Sequence, residues 1–279
     1  MERVALVGEA VAHSPSPAMH TAGFAALGLD WEYVVWRVPP GGLETAWREL
    51  KRRFRGLNVT SPHKPGAARL ADRLSLVASA CGAVNTVQFA EGQAFGDCTD
   101  GAGFMAALSR SRLAPPEVAA VLGTGGAARA VAAALAATGT RVRVLGRNSP
   151  AGQQLAADLA AVQPGRVQFC GGGQEAYHTG LDGAQLLVNA TPLGGVGSPQ
   201  ASPLPGTVRL DRRLAVFDLV YRRDPTPLLA RAVQQGCRVI PGIEMLVEQG
   251  LLSFQIWTGR AAPAEVMRRA ARSSLGFRA

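Results

Sequence analysis

Lysine is nearly missing from this chain. Of 29 basic residues only Lys51 and Lys64 are lysine. An ammonium can surrender a proton when its surroundings lower its pKa, whereas a guanidinium effectively cannot. A lysine among so many arginines is therefore a candidate for chemistry, and Lys64 stands where a strand runs into a proline turn. Cysteine is also scarce: Cys81, Cys98, Cys170 and Cys237 are scattered and form no C-x-x-C pair. That pattern argues against a zinc site and a disulfide framework, and predicts free thiols and a cytoplasmic location. No apolar run approaches the roughly 18 residues of a membrane helix, and Val4–Val7 is too short for the core of a signal peptide. Acid is outnumbered, with 20 Asp and Glu and a net charge of +9. The arginines are dispersed, however, and their densest runs (51–55 and 268–269) fall on plausible helix ends or faces. A solvated basic surface that attracts anionic small molecules fits better than a nucleic-acid interface. His13, His20, His63 and His178 lack metal-ligand spacing, so no metal is expected.

What is present is an alternation of short apolar runs with helical stretches over 279 residues, enough for one large domain or two smaller ones. Strands are predicted at 3–8, 31–38, 56–60 and 87–89, and helices at 18–27, about 43–53 and 72–80, with a turn at 96–101. A helix over 102–112 leads to Pro115–Pro116, a joint. The pattern then becomes strand 118–122, an alanine-rich helix to 138, and strand 141–145. Later strands fit 167–169, 186–190, 214–219 and 238–240, with helices at 153–161, 227–235, 243–257 and 263–272. This alternation predicts an α/β fold.

Gly123-Thr124-Gly125-Gly126-Ala127-Ala128 matches G-x-G-x-x-G/A between a strand and a helix. The first glycine permits a tight turn, the second lets a pyrophosphate approach the backbone, and the small third residue lets helix meet sheet. The following strand ends in Gly146-Arg147-Asn148, without the acid that binds a ribose 2′-hydroxyl in NAD sites. Arg147 offers charge and forked donors to a 2′-phosphate instead, which favours NADP. A nicotinamide cofactor implies hydride transfer, and ketone reduction also needs a proton donor. Lys64 can supply it, with Asp100 as the partner that holds the ammonium. Ser14 and Ser16 flank a proline, so their hydroxyls can converge on one carboxylate. Asn58, Thr60 and Asn85 sit at strand ends, where loops gather. Taken singly these residues have plainer readings. The serines could be helix caps, Asn85 and Asp100 turn formers, Tyr221 a residue at the edge of the core, Gln249 a solvated side chain, and Lys64 a surface charge.

Taken in order, the segments resemble the shikimate dehydrogenase family over nearly the whole chain. They are His13–Pro17 (HSPSP), Asn58–Lys64 (NVTSPHK), Ala83–Thr86 (AVNT), Asp97–Gly101 (DCTDG), Gly123–Ala127 (GTGGA), Asn189–Gly194 (NATPLG), Asp218–Tyr221 (DLVY) and Met245–Gly250 (MLVEQG). The resemblance implies reversible NADPH-dependent reduction of 3-dehydroshikimate to shikimate, in aromatic amino acid biosynthesis. It implies two α/β domains with a central cleft: residues 1–101 with 241–279 for substrate and catalysis, and a Rossmann-like NADP domain over 102–240. It implies Lys64 and Asp100 as the catalytic pair, and Ser14 and Ser16 on the substrate carboxylate. Thr60, Asn85, Tyr221 and Gln249 would meet its hydroxyls or ring, with Asn58 in support. Gly123, Thr124, Gly125, Gly126, Ala127 and Arg147 would bind NADP, with Leu219 and Gly242 approaching the nicotinamide. The partner is a small molecule, and the protein a monomer or homodimer. Ala151 stands where the family often has a second arginine, and Leu76 where an acid is sometimes found. A related quinate-accepting dehydrogenase, with or without NAD, and a ligand-binding regulator without turnover remain open at this level.

Overall fold

The computed structural model describes residues 1–277. In chain order the elements are β1 (Glu2–Gly8), α1 (Ser16–Ala26), β2 (Trp31–Arg37), α2 (Leu43–Arg53), β3 (Gly56–Val59), α3 (Lys64–Leu70), β4 (Arg73–Leu74), α4 (Leu76–Cys81), β5 (Thr86–Ala90), β6 (Gln93–Asp97) and α5 (Thr99–Arg110). Then follow β7 (Val118–Leu122), α6 (Gly126–Ala137), β8 (Arg141–Leu145), α7 (Ser149–Val162), β9 (Val167–Gly171), α8 (Gln174–Leu181), β10 (Leu186–Asn189), β11 (Ala215–Asp218), α9 (Pro227–Gln234), β12 (Arg238–Pro241), α10 (Ile243–Thr258) and α11 (Ala264–Ser274). They form two compact units, one of Met1–Gly103 with Leu246–Ala279 and one of Phe104–Met245.

The first unit carries a mixed sheet in the order β2-β1-β3-β5-β6-β4. β1 lies parallel to both β2 and β3, and its Val4–Val7 core is fully buried. β5 runs antiparallel to β3 and to β6. The amphipathic α2 buries Leu43, Trp47 and Leu50 at helical spacing and ends in Lys51, Arg52 and Arg53, where cations oppose the helix dipole. Two local expectations change. The predicted helix over 72–80 is a two-residue strand and a shorter helix, because the Ser75 hydroxyl accepts from Ala78 N and starts α4 there. The turn predicted at 96–101 is the end of β6 followed directly by α5, so Asp100 lies in a first helical turn.

The second unit has a fully parallel sheet in the order β12-β11-β10-β7-β8-β9. Numbered within the unit, this is the 3-2-1-4-5-6 order of doubly wound dinucleotide-binding folds. Strands covered on both faces read as continuous apolar runs, and all five residues of β7 are buried. Its main core gathers Phe104, Val121, Leu135, Val144, Leu155 and Phe217.

Candidate active site

In the first unit the loops at the carboxyl ends of β1 and β3 bring the sequence segments together. Gly8 is where backbone and side chains crowd: a Cβ there would overlap Thr60 Cγ2 and stand 2.9 Å from Val11 Cγ1. Beyond it Ser14 and Ser16 lie with hydroxyl oxygens 3.2 Å apart, and Ser14 Oγ also accepts from Ser16 N. The N-cap of α1 is Pro15, which makes no side-chain cap bond, and Ser14 Oγ takes the N–H of the helix's first residue.

The Asn58–Lys64 segment leaves β3 through a cis Ser61–Pro62 bond and enters α3 at Lys64. His63 is buried and its Nε2 lies 2.9 Å from Val38 O, while Lys64 O accepts from Val84 N at 3.0 Å. The lysine backbone is thus anchored on both sides, and its side chain is 14% exposed. Lys64 Nζ donates to Asp100 Oδ2 in a short ion pair, with the aspartate 6% exposed.

Asn85 sets the other side of Asp100. Its amide nitrogen, with two protons to give, lies 2.9 Å from Asp100 Oδ1, 2.9 Å from Thr99 Oγ1 and 3.1 Å from Gln249 Oε1. Its oxygen accepts the Thr99 backbone N–H at 2.8 Å. An N–H can only donate and a carboxylate can only accept, so both ends of the amide agree on its orientation. Gln249, which the sequence alone leaves as a solvated helix residue, is 8% exposed and joins this network. Gly103 makes that possible: a Cβ there would come within 2.5 Å of Gln249 N, so only a glycine lets α5 lie this close to α10.

Asn58, expected at a strand end in support of the site, brings in side chains that the sequence did not single out. Asn58 is buried; its oxygen accepts from Tyr33 Oη at 2.8 Å and its amide nitrogen donates to Ser253 Oγ at 3.0 Å. Thr86, Thr99 and Ser253 complete the cluster. His20 is fully buried, its ring stacked on Tyr33 at 4.6 Å between centroids, and neither ring nitrogen has a hydrogen-bond partner. Burial pushes its pKa down to about 3, so it is neutral. Hydroxyls and a lone histidine show no periodicity, so only their convergence in space reveals them.

In the second unit the Gly123 turn follows β7. Gly123 has φ +113° and donates its N–H to Leu145 O at 2.7 Å, and a Cβ would press on Ala190 O at 3.1 Å. Gly125 precedes α6 with no side-chain cap and open space where a Cβ would be, so the helix N-terminus is available to an anion. Ala128 is fully buried where α6 meets the sheet. Arg147 is exposed beyond β8, and Asn148 caps α7. No acid follows β8 before α7, so this donor set fits a phosphorylated ribose better than a bare diol.

Asn189 and Asp218 tie together the loops that leave β10 and β11. Asn189 Nδ2 donates to Asp218 Oδ1 at 2.8 Å, and Thr226 Oγ1 donates to Asp218 Oδ2 at 2.6 Å. Leu219 N donates to Asn189 O at 2.9 Å. Burial raises the pKa of Asp218 against the lowering effect of these donors. Gly242 packs on this corner: a Cβ would overlap Leu219 O and lie 2.8 Å from Asp218 O. Tyr221 is half-buried in the loop after β11. Among the described residues no cluster of His, Cys, Asp and Glu suits a metal ion. Among them also, no helix is long and apolar enough to cross a membrane.

Two family models match this chain: the shikimate dehydrogenase substrate binding domain over residues 6–87 and the shikimate 5′-dehydrogenase C-terminal domain over residues 242–272. The NADP(+) shikimate dehydrogenase of Methanopyrus kandleri is 41% identical over 271 residues, covering 96% of this chain and 93% of its own. The chain belongs to the shikimate dehydrogenase family. A crystal structure of Thermus thermophilus shikimate 5-dehydrogenase with NADP(H) and shikimate superposes with a TM-score of 0.87 at 40% identity, covering 99% of this chain and all of that one. Quinate dehydrogenase of Corynebacterium glutamicum in complex with NAD superposes at 0.86 with 29% identity, covering 98% and 99%.

Proposed function

We infer that this chain catalyses the reversible NADPH-dependent reduction of 3-dehydroshikimate to shikimate, an oxidoreductase step of aromatic amino acid biosynthesis. The observation that carries the chemistry is the buried Lys64–Asp100 pair, with Asn85 on the second carboxylate oxygen. When bound, the nicotinamide supplies the hydride that reaches the ketone carbon. Lys64 Nζ gives the proton that the developing alkoxide needs, and takes it back when shikimate is oxidised. Asp100 holds the ammonium in place and balances its charge.

The remaining roles follow from family membership, and local geometry supports them. The adjacent hydroxyls of Ser14 and Ser16 hold the substrate carboxylate. Thr60, Asn85 and Gln249 meet the hydroxyls or ring, and Asn58 supports them from behind. Tyr221, in the 104–245 unit, is assigned to the same task by resemblance. The Gly123–Ala127 turn takes the pyrophosphate, Arg147 the 2′-phosphate, and Leu219 and Gly242 the nicotinamide. Residues 1–103 with 246–279 then form the substrate unit, and 104–245 the NADP unit. Four free cysteines suit a reducing cytoplasm.

Absorbance at the nicotinamide band, with shikimate or quinate and either NADP+ or NAD+, tests this reading. Shikimate with NADP+ should be the preferred pair. Faster turnover of quinate with NAD+ would overturn it. That second reading has one observation in its favour: Ala151 leaves Arg147 as the arginine next to the β8 turn.

A further inference from the structure

Ser253 lies on α10 one turn beyond Gln249 and is fully buried. Its hydroxyl meets four groups: it accepts from Asn58 Nδ2 at 3.0 Å, and lies 2.8 Å from Thr86 Oγ1, 3.1 Å from Gln249 O and 3.4 Å from Thr99 Oγ1. A hydroxyl has one proton and two lone pairs. With that proton on Thr86 Oγ1, the Thr86 proton is left for Asn85 Oδ1, and a Ser253 lone pair takes the Asn58 amide.

Each neighbour leads to a residue of the proposed site. Asn58 is fixed at its other end by Tyr33. Thr86 Oγ1 lies 3.2 Å from Asn85 Oδ1, and Asn85 in turn holds Asp100 and Gln249. The position of α10 does not depend on this hydroxyl, because Trp257 Nε1 donates to Val87 O at 2.9 Å and Gln88 Nε2 to Ile256 O at 2.8 Å. Retaining a polar group at the dry centre of four others is useful only where their orientation matters.

We propose that Ser253 is a positioning residue for the reaction: its hydroxyl orients Asn58 and, through Thr86, the Asn85 amide that holds Asp100 and Gln249. The proposal rests on the site roles given above. Without the hydroxyl, Asn58 Nδ2 is left with its longer contacts to Asn85 O at 3.3 Å and Thr86 Oγ1 at 3.4 Å, and the cluster re-pairs toward them.

The test compares Ser253→Ala, Ser253→Cys and Gln88→Ala with the unsubstituted protein, reading melting temperature and the KM for shikimate and for NADP+ separately. Cysteine fills the serine volume with a poor acceptor, so it separates hydroxyl loss from cavity formation. Both Ser253 variants should raise KM for shikimate roughly tenfold, about the effect of one lost buried hydrogen bond, with KM for NADP+ within about twofold. Gln88→Ala should lower the melting temperature and leave KM for shikimate alone. A normal KM in Ser253→Cys would overturn the proposal while leaving the function intact. An equal rise in Gln88→Ala would also overturn it, since any loosening of α10 would then suffice. Absence of shikimate oxidation in the unsubstituted protein would overturn the functional reading and this proposal with it.

Discussion

Both carboxylate oxygens of Asp100 are engaged, Oδ2 by Lys64 and Oδ1 by Asn85. An aspartate held at both oxygens cannot swing away, so it defines where the ammonium stands. Lys64→Ala should lower kcat by roughly 10²–10⁴-fold, the range for losing a general acid/base, with a smaller effect on KM for shikimate; steady-state kinetics decide, and a near-normal kcat would remove Lys64 from that role. Arg147, proposed for the 2′-phosphate, is exposed and would act by charge. Arg147→Ala should raise KM for NADPH much more than for NADH, and equal rises would place 2′-phosphate recognition elsewhere. The scarcity of lysine was the sequence feature that singled out Lys64. No comparable signal marked Ser253, Thr86 or Tyr33. Ser253 lies 195 positions from the Asn58 amide it meets, and a lone serine in an apolar helix looks like any other.

At the scale of elements, the site depends on close approach. Gly103 lets α5 lie against the backbone of α10 at Gln249. Gly103→Ala should push the two helices apart by a few tenths of an ångström or more and raise KM for shikimate, with a melting temperature lowered by overpacking that costs about 1–3 kcal/mol. An unchanged KM would show that Gln249 does not need this contact. In the second unit the glycine at 172 serves a similar end: a Cβ there would stand 2.5 Å from Gly146 O and 2.7 Å from Arg147 N. Element types were largely legible because buried parallel strands such as β7 are continuous apolar runs bounded by glycine. Boundaries were less so. The start of α4 turned on one serine hydroxyl, and β6 escaped notice because Gly96 interrupts its pattern.

Across the whole molecule, buried ionisable groups set the response to acid. His20 stays neutral in the fold until about pH 3, whereas in the unfolded chain it takes a proton near its ordinary 6.5. Its folded pKa is depressed, so the unfolded state binds more protons between those values, and stability falls as pH drops through that window. By pH 4 this one group costs about 3 kcal/mol relative to pH 7. Asp218 acts with the opposite sign: its folded pKa is raised, so protonation relieves the burial of its charge as pH falls. Comparing His20→Phe with the parent isolates the histidine. Urea unfolding at pH 7 and pH 4 should show a smaller loss of stability in the variant, and parallel losses would mean that His20 is solvated at its protonation step.

Local chemistry written along one strand of residues was enough to decide the α/β alternation, the nucleotide turn, the absence of acid after β8 and the family. Those features depend on neighbours a few positions apart, where sterics and hydrogen-bonding capacity act without regard to the rest of the chain. The pairing of Lys64 with Asp100 was proposed from residue types. That Asn85 holds its second oxygen, that Gln249 is buried beside it and that Ser253 braces the cluster depended on the packing of α5 and α10 against β3 and β5. Hydrogen bonds among buried small polar groups have short range and strict direction, so which of many serines and threonines take part is settled only when the backbone has brought them within about 3 Å.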